Sequence, residues 1–140
     1  MQPDPGPAPP LAARPAPAPR KPIALLVDDD VAVAAMTAMA LDTQGWHTIV
    51  VNVPQEAAEI ARDLPIDVLV TDLQMPGMSG LELVARERAH RGPLPVVLVS
   101  GSLEAHLLSI DPPFQFIAKP FRLRALFAAV NSLAGIAAGG

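Results

Sequence analysis

A chain of 140 residues with 51% hydrophobic residues and a net charge of −4 has room for one ordinary domain, not for a receptor joined to an effector. It has no cysteine, which excludes disulfides and thiolate metal sites, and no apolar run approaches the roughly 18 residues of a membrane span. Nine of the 17 prolines fall in residues 1–22, where Arg14, Arg20 and Lys21 outnumber Asp4 for a net of +2; the remaining residues therefore carry −6, which disfavours direct nucleic-acid binding.

Residues 1–22 alternate Pro with Ala, fixing φ, removing backbone donors and offering nothing large to bury. They read as a disordered, partly extended tail of the kind that polyproline-binding grooves accept. The folding body is expected over 23–136, with 137–140 a flexible C-terminus. Five apolar residues, Ile23 to Val27, run into Asp28, Asp29 and Asp30, the pattern of a strand buried on both faces. A helix follows over 31–44, capped by Asp30, with Val33, Met36, Ala40 and Leu41 at helical spacing and Gly45 as its stop.

Thr48 to Val53 is β-branched and predicts a second strand, and Pro54 suits the first turn of a helix over 55–63 with Ala57, Ala58, Ile60 and Ala61 on its apolar face. Asp67 to Thr71 predicts a third strand closed by Asp72. The loop LQMPGMSG leads to a helix from about Leu81 to Ala89. Val96 to Val99 predicts the fourth strand, opening onto Ser100, Gly101 and Ser102. A short helix near 103–109, a break at Pro112–Pro113, a fifth strand over 114–118 and a last helix on Leu123, Leu126, Phe127, Val130 and Leu133 complete the chain. Five apolar strands alternating with five helices predict an α/β doubly wound parallel sheet covered on both faces.

In such a sheet, ligands bind beyond the carboxyl ends of the strands, where the winding reverses. Asp28 and Asp29, Asp72, Ser100 and Lys119 all stand just after strands. Taken singly, an acidic triplet before a helix is a solvated cap, a Ser after a strand is a turn residue, and Lys-Pro is a loop. Taken together, converging carboxylates repel one another unless a cation sits among them. Hard oxygen donors suit Mg²⁺, with Lys119 fit to neutralise a phosphoryl oxygen and Ser100 to donate to it. His47, His90 and His106 are scattered, and Trp46 is expected to pack at the base of the second strand.

LLVDDD, DVLVTDLQMPGMSGLEL, VVLVSGS and FIAKPF, in this order and spacing, resemble the receiver domain of two-component response regulators, over about residues 23–134. The resemblance implies a flavodoxin-like sheet of order 2-1-3-4-5. It implies Asp72 as phosphoacceptor, Asp28 and Asp29 as the acidic pair organising Mg²⁺, and the backbone carbonyl of Gln74 as a further ligand. Ser100 becomes the switch hydroxyl, Phe116 the aromatic that moves with it, and Lys119 the partner of phosphate and acceptor, followed by a cis bond to Pro120. The implied donor is a phosphohistidine on a sensor histidine kinase or histidine phosphotransfer protein.

Some positions depart from the usual pattern. Gly101 stands where relatives usually carry Ala, and only 19 positions separate Ser100 from Lys119, so the fourth helix should be short or irregular. Phe116 lacks the hydroxyl of the more usual tyrosine. Gln74 and Ser102 flank the route of a water that would hydrolyse the phosphoaspartate. The expectation is a cytoplasmic, stand-alone receiver that is a switch and not an enzyme, without direct DNA or membrane binding, acting as relay shuttle, phosphate sink or adaptor on protein partners. Two other readings stay open: a pseudo-receiver serving only as an interaction module, and a Mg²⁺-dependent phosphohydrolase with an aspartyl nucleophile. Gln74 counts against the second, where an acid/base carboxylate would be wanted.

Overall fold

The structure, a computed structural model, describes residues 20–101 and 110–139. The strands are β1 (Ile23–Val27), β2 (His47–Val51), β3 (Val68–Asp72), β4 (Val96–Ser100) and β5 (Phe114–Ala118). The helices are α1 (Val31–Thr43), α2 (Ala57–Ile60) after a 3₁₀ turn at Pro54–Glu56, α3 (Gly80–Arg91) and α4 (Leu123–Gly139). All strands are parallel, in the order β2-β1-β3-β4-β5, as expected. The helix expected near 103–109 lies outside the described residues.

The continuous apolar runs are explained by burial on both faces of the sheet. Ala24, Leu26, Val68, Val70, Val97 and Val99 point to the side covered by α1 and α4. Their alternates Leu25, Val27, Leu69 and Val96 point to the side covered by α2 and α3. A period of two along each strand therefore feeds two cores at once. On the first side Trp46 is buried as well, its Nε1 donating to Asn131 Oδ1 at 3.4 Å.

Several local expectations are corrected. Met36, expected to face inward, is 63% exposed, while Leu41 is buried as expected; Ala34, Thr37 and Ala38 make up the rest of the buried face of α1. The helix is apolar nearly all round, so side-chain size does not select the inner face, and small alanines let it lie close to the sheet. Thr37 is tolerated there because its Oγ1 donates to the Val33 carbonyl at 2.8 Å. The helix expected over 55–63 contracts to Ala57–Ile60, with Ala57 and Ala61 buried and Ile60 47% exposed. β2 ends at Val51, because the Asn52 side chain turns to the Asp28 carbonyl and Pro54 cannot donate to a ladder. β3 starts at Val68, one residue later than expected; Asp67 just before it donates its amide to the Ile23 carbonyl at 2.8 Å, and its carboxylate accepts from the Ile23 amide at 2.7 Å and from Arg20. At the other end α4 runs to Gly139.

Arg88 is a fastener that the pattern did not single out. Its guanidinium donates to the carbonyls of Leu94 (3.0 Å), Asp111 (2.6 Å) and Pro113 (2.8 Å), tying α3 to the approaches of β4 and β5. Charge-assisted bonds of this kind are worth about 1.5–3 kcal/mol each at most, and not additively. Arg88→Ala is expected to lower the urea midpoint by the equivalent of about 3 kcal/mol at unchanged slope, and Arg88→Lys to recover less than half. A midpoint equal to wild type for Arg88→Ala would remove this role.

Candidate functional site

Parallel register brings the strand ends to one edge: Val27 pairs with Val51 and Thr71, Asp72 with Val99, and Ser100 with Ala118. Asp28 leaves β1 at this edge. Its amide donates to the Val51 carbonyl at 3.1 Å, and Asn52 Nδ2 donates to the Asp28 carbonyl at 3.0 Å. One carboxylate oxygen of Asp28 accepts from the Asp30 amide at 2.9 Å, and Asp30 in turn caps α1 by accepting from the Val33 amide. The middle residue of the triplet, Asp29, is thereby left facing solvent.

Asp72 is the last residue of β3, where the sequence had placed it just beyond. The chain behind it is held on both sides: the Leu73 amide donates to the Val99 carbonyl at 2.9 Å, and the Gly80 amide to the Leu73 carbonyl at 2.7 Å. Gly80, the first residue of α3, passes so near that an added Cβ would lie 2.3 Å from the Asp72 carbonyl oxygen and 2.9 Å from Leu73 Cα. Only glycine allows the helix to begin directly against the acidic strand end. As sequence, GMSG reads only as loop punctuation and hides this contact; the small residue between Ser79, the α3 cap, and Leu81 was the available signal. Nor does the pattern single out Asn52, which buttresses Asp28, or Thr71, whose Oγ1 donates to the Asp72 carbonyl at 3.0 Å.

Lys119 reaches back from the end of β5, its Nζ donating to Asp72 Oδ2 at 2.8 Å. Its own amide donates to the Ser100 carbonyl at 2.8 Å, which sets where the lysine stem leaves the sheet. Asp28, Asp29 and Asp72 each place a carboxylate oxygen within 4.8 Å of the other two. Asp28, Thr71, Asp72 and Lys119 share one recess with Val99 and Phe121. Ser100 is buried at the end of β4. Phe116 is half-buried on β5, in a crevice shared with Phe121 between that strand and α4, so it is not part of the charged cluster. Gln74 is exposed in the loop after Asp72. The bond from Lys119 to Pro120 is cis. Ser102 and His106 lie outside the described residues.

The electrostatics follow from this packing. Burial raises the Asp28 carboxyl above its ordinary pKa; the Asp30 amide works against that rise, while the nearby charge of Asp72 adds to it. Burial would lower the Lys119 ammonium, but the hydrogen bond and charge of Asp72, with Asp28 and Asp29 behind it, outweigh burial and hold it above its usual value. Three carboxylates around one lysine are under-neutralised, and a hard, all-oxygen donor set of this size fits Mg²⁺. Asp28, Asp29 and Asp72 are the residues that could hold it.

Because its folded pKa is raised, Asp28 favours the fold most when protonated, and that contribution is lost as pH rises through the raised value. Asp28→Asn is therefore expected to stabilise the metal-free protein at neutral pH by about 1 kcal/mol, a Tm gain of roughly 4 °C. The same variant should gain less thermal stability from added Mg²⁺ than wild type does. A lower Tm for the metal-free variant would contradict the repulsion argument.

Residues 24–131 match the family model described as the response regulator receiver domain. The DNA-binding response regulator MtrA of Mycobacterium tuberculosis is 31% identical over 111 residues, covering 77% of this chain and 48% of MtrA. Response regulator MprA of Mycobacterium leprae is 34% identical over 113 residues, covering 78% of this chain and 49% of MprA. The chain thus spans about half the length of the curated relatives it matches. Among solved structures, the receiver domain of a Francisella response regulator superposes with a TM-score of 0.70 at 28% identity, covering 82% of this chain and 98% of that one.

Proposed function

This chain belongs to the response regulator receiver family, and from that premise we propose that it accepts a phosphoryl group on Asp72 and switches partners when it does. The observation that carries this reading is the 2.8 Å bond from Lys119 to one oxygen of a carboxylate clustered with two other acids. A lysine there fixes the orientation of one Asp72 carboxylate oxygen, which a nucleophile needs.

In the proposed transfer, a carboxylate oxygen of Asp72 attacks the phosphorus of a phosphohistidine. The new O–P bond forms as the N–P bond breaks, and the imidazole nitrogen keeps the electron pair and takes a proton. Lys119 is placed to neutralise charge on the incoming phosphoryl oxygens and on the acceptor. Asp28, Asp29 and Asp72, with the Gln74 carbonyl as a further proposed ligand, would hold Mg²⁺, which would supply charge neutralisation for the phosphoryl group when bound. Ser100 is assigned the hydroxyl that meets the phosphoryl group, and Phe116 the aromatic whose packing follows it. Gln74 and Ser102 are assigned the tuning of hydrolysis.

The donor proposed is a sensor histidine kinase or histidine phosphotransfer protein. No helix among the described residues is long and apolar enough to cross a membrane. We assign the receiver to the cytoplasm, as a switch and not an enzyme. The DNA-binding name of MtrA belongs to a protein about twice as long, and the net negative charge here favours protein partners for this part. Incubation of the full chain with a small-molecule phosphodonor and Mg²⁺, read by intact mass, tests the reading. A mass gain of one phosphoryl group that disappears with chelator is expected. No gain at any Mg²⁺ concentration would leave a partner-binding module without phosphotransfer.

A further inference from the structure

At the opposite end of the sheet from the acidic cluster, the structure contains a groove of about 930 Å³. Its apolar wall is made by Leu64, Ile66 and Leu94 with Pro65, Pro93 and Pro95. The wall is stiff for two reasons. Prolines have fixed φ, and the Arg91 guanidinium donates to the carbonyls of Leu64 and Ala61, fastening α3 to the chain that leaves α2. Arg62, Asp63 and His90 supply polar groups along it.

The occupant of this groove is suggested by where the chain enters the structure. Arg20 is clasped by Asp67, itself part of the groove lining, through two bonds: Nη1 to Oδ2 at 2.8 Å and Nη2 to Oδ1 at 3.1 Å. The Ile23 amide donates to the same carboxylate at 2.7 Å. The described chain therefore begins, at Arg20, on the groove rim. The residues nearest that point read Arg14-Pro-Ala-Pro-Ala-Pro19.

A Pro-Ala repeat is pre-organised as polyproline II, and at about 3.1 Å per residue Pro15 to Pro19 span about 15 Å. Little conformational freedom remains for docking to remove. The repeat offers carbonyl acceptors but lacks donors at each proline, while the exposed Arg62 guanidinium brings donors. Asp63 offers a carboxylate to Arg14. An effective concentration set by so short a tether lets a weak groove hold its own tail.

We propose that residues 14–19 occupy this groove in cis as a polyproline II segment, with the Arg20–Asp67 pair as the hinge pin.

The absence of cysteine makes the test direct. A nitroxide on Ala13→Cys in the full chain should broaden the amide signals of Leu64, Ile66 and Leu94 to less than half intensity, leaving those of Asp28 and Asp72 unchanged. Replacing Pro15, Pro17 and Pro19 with Gly together, which leaves the body untouched, should restore the groove signals. Broadening that is no stronger at the groove than elsewhere overturns the proposal, as does broadening that survives the glycine replacements. Equal broadening of unlabelled-tail protein mixed with spin-labelled protein would place a second copy in the groove and also overturn it.

Discussion

The Asp72→Asn protein is expected to take up no phosphoryl group from a small phosphodonor under conditions in which the wild type is modified. An amide is nearly the same shape as a carboxylate, so the strand end should survive: the side-chain oxygen can still accept from Lys119, whose Nζ lies 2.8 Å from Asp72 Oδ2 in the wild type. The change removes the anionic oxygen that the proposed transfer requires, since a neutral amide oxygen is a poor nucleophile. Removing one of three clustered negative charges also relieves repulsion on Asp28, so Tm should not fall. That combination, a fully folded protein with no adduct, separates loss of the acceptor from loss of the fold. A phosphoryl group found on Asp72→Asn at the wild-type rate would move the acceptor elsewhere, and Asp29, the exposed member of the cluster, would be the first place to look. Lys119→Met provides the contrast. The acceptor remains, so slow uptake should persist, while the uncompensated acids lower the stability of the metal-free protein.

The placement of Asp72 beside Lys119 is among the features of the site that were readable in the residues. Parallel strands buried on both faces need runs such as IALLV and VVLV, and these stand out because polar residues appear only where the strand leaves the core. The same geometry collects the residues after each run at one edge, so Asp28, Asp72, Ser100 and Lys119 could be grouped without knowing any distance. Packing detail was not readable. α1 offers Val31, Val33, Met36 and Met39 as well as alanines, and the choice of Ala34 and Ala38 for the sheet depends on how close the helix sits, a property of the assembled layers. The three bonds of Arg88 reach partners up to 25 positions away, and no local pattern encodes them. The bond from Arg20 to Asp67 is of the same kind: it joins the start of the body to the loop before β3, 47 positions on.

Gly80→Ala tests a close backbone contact that was likewise unreadable, and its effect is expected to rival that of Asp72→Asn. The added methyl would meet the Asp72 carbonyl oxygen at 2.3 Å and Leu73 Cα at 2.9 Å, and both are backbone atoms. A flexible side chain could swing away; a strand end bonded to its neighbour through the Leu73 amide and the Val99 carbonyl cannot. Either α3 withdraws by part of an ångström, breaking the 2.7 Å bond from the Gly80 amide to the Leu73 carbonyl, or the end of β3 tips and carries Asp72 away from Lys119. Overpacking of this sort costs about 3 kcal/mol, a Tm loss of roughly 10 °C. A displacement near 1 Å at a reacting group is worth about 100-fold in rate, so phosphoryl uptake well below the melting transition should fall by about that factor. Ser79→Ala, one residue away, separates the two consequences. It removes the cap that accepts from the Glu82 amide at 3.2 Å, costing about 1 kcal/mol, but leaves the approach of α3 to Asp72 intact and should phosphorylate at the wild-type rate. If Gly80→Ala instead matched Ser79→Ala in both stability and uptake, the close approach would not be what positions the acceptor.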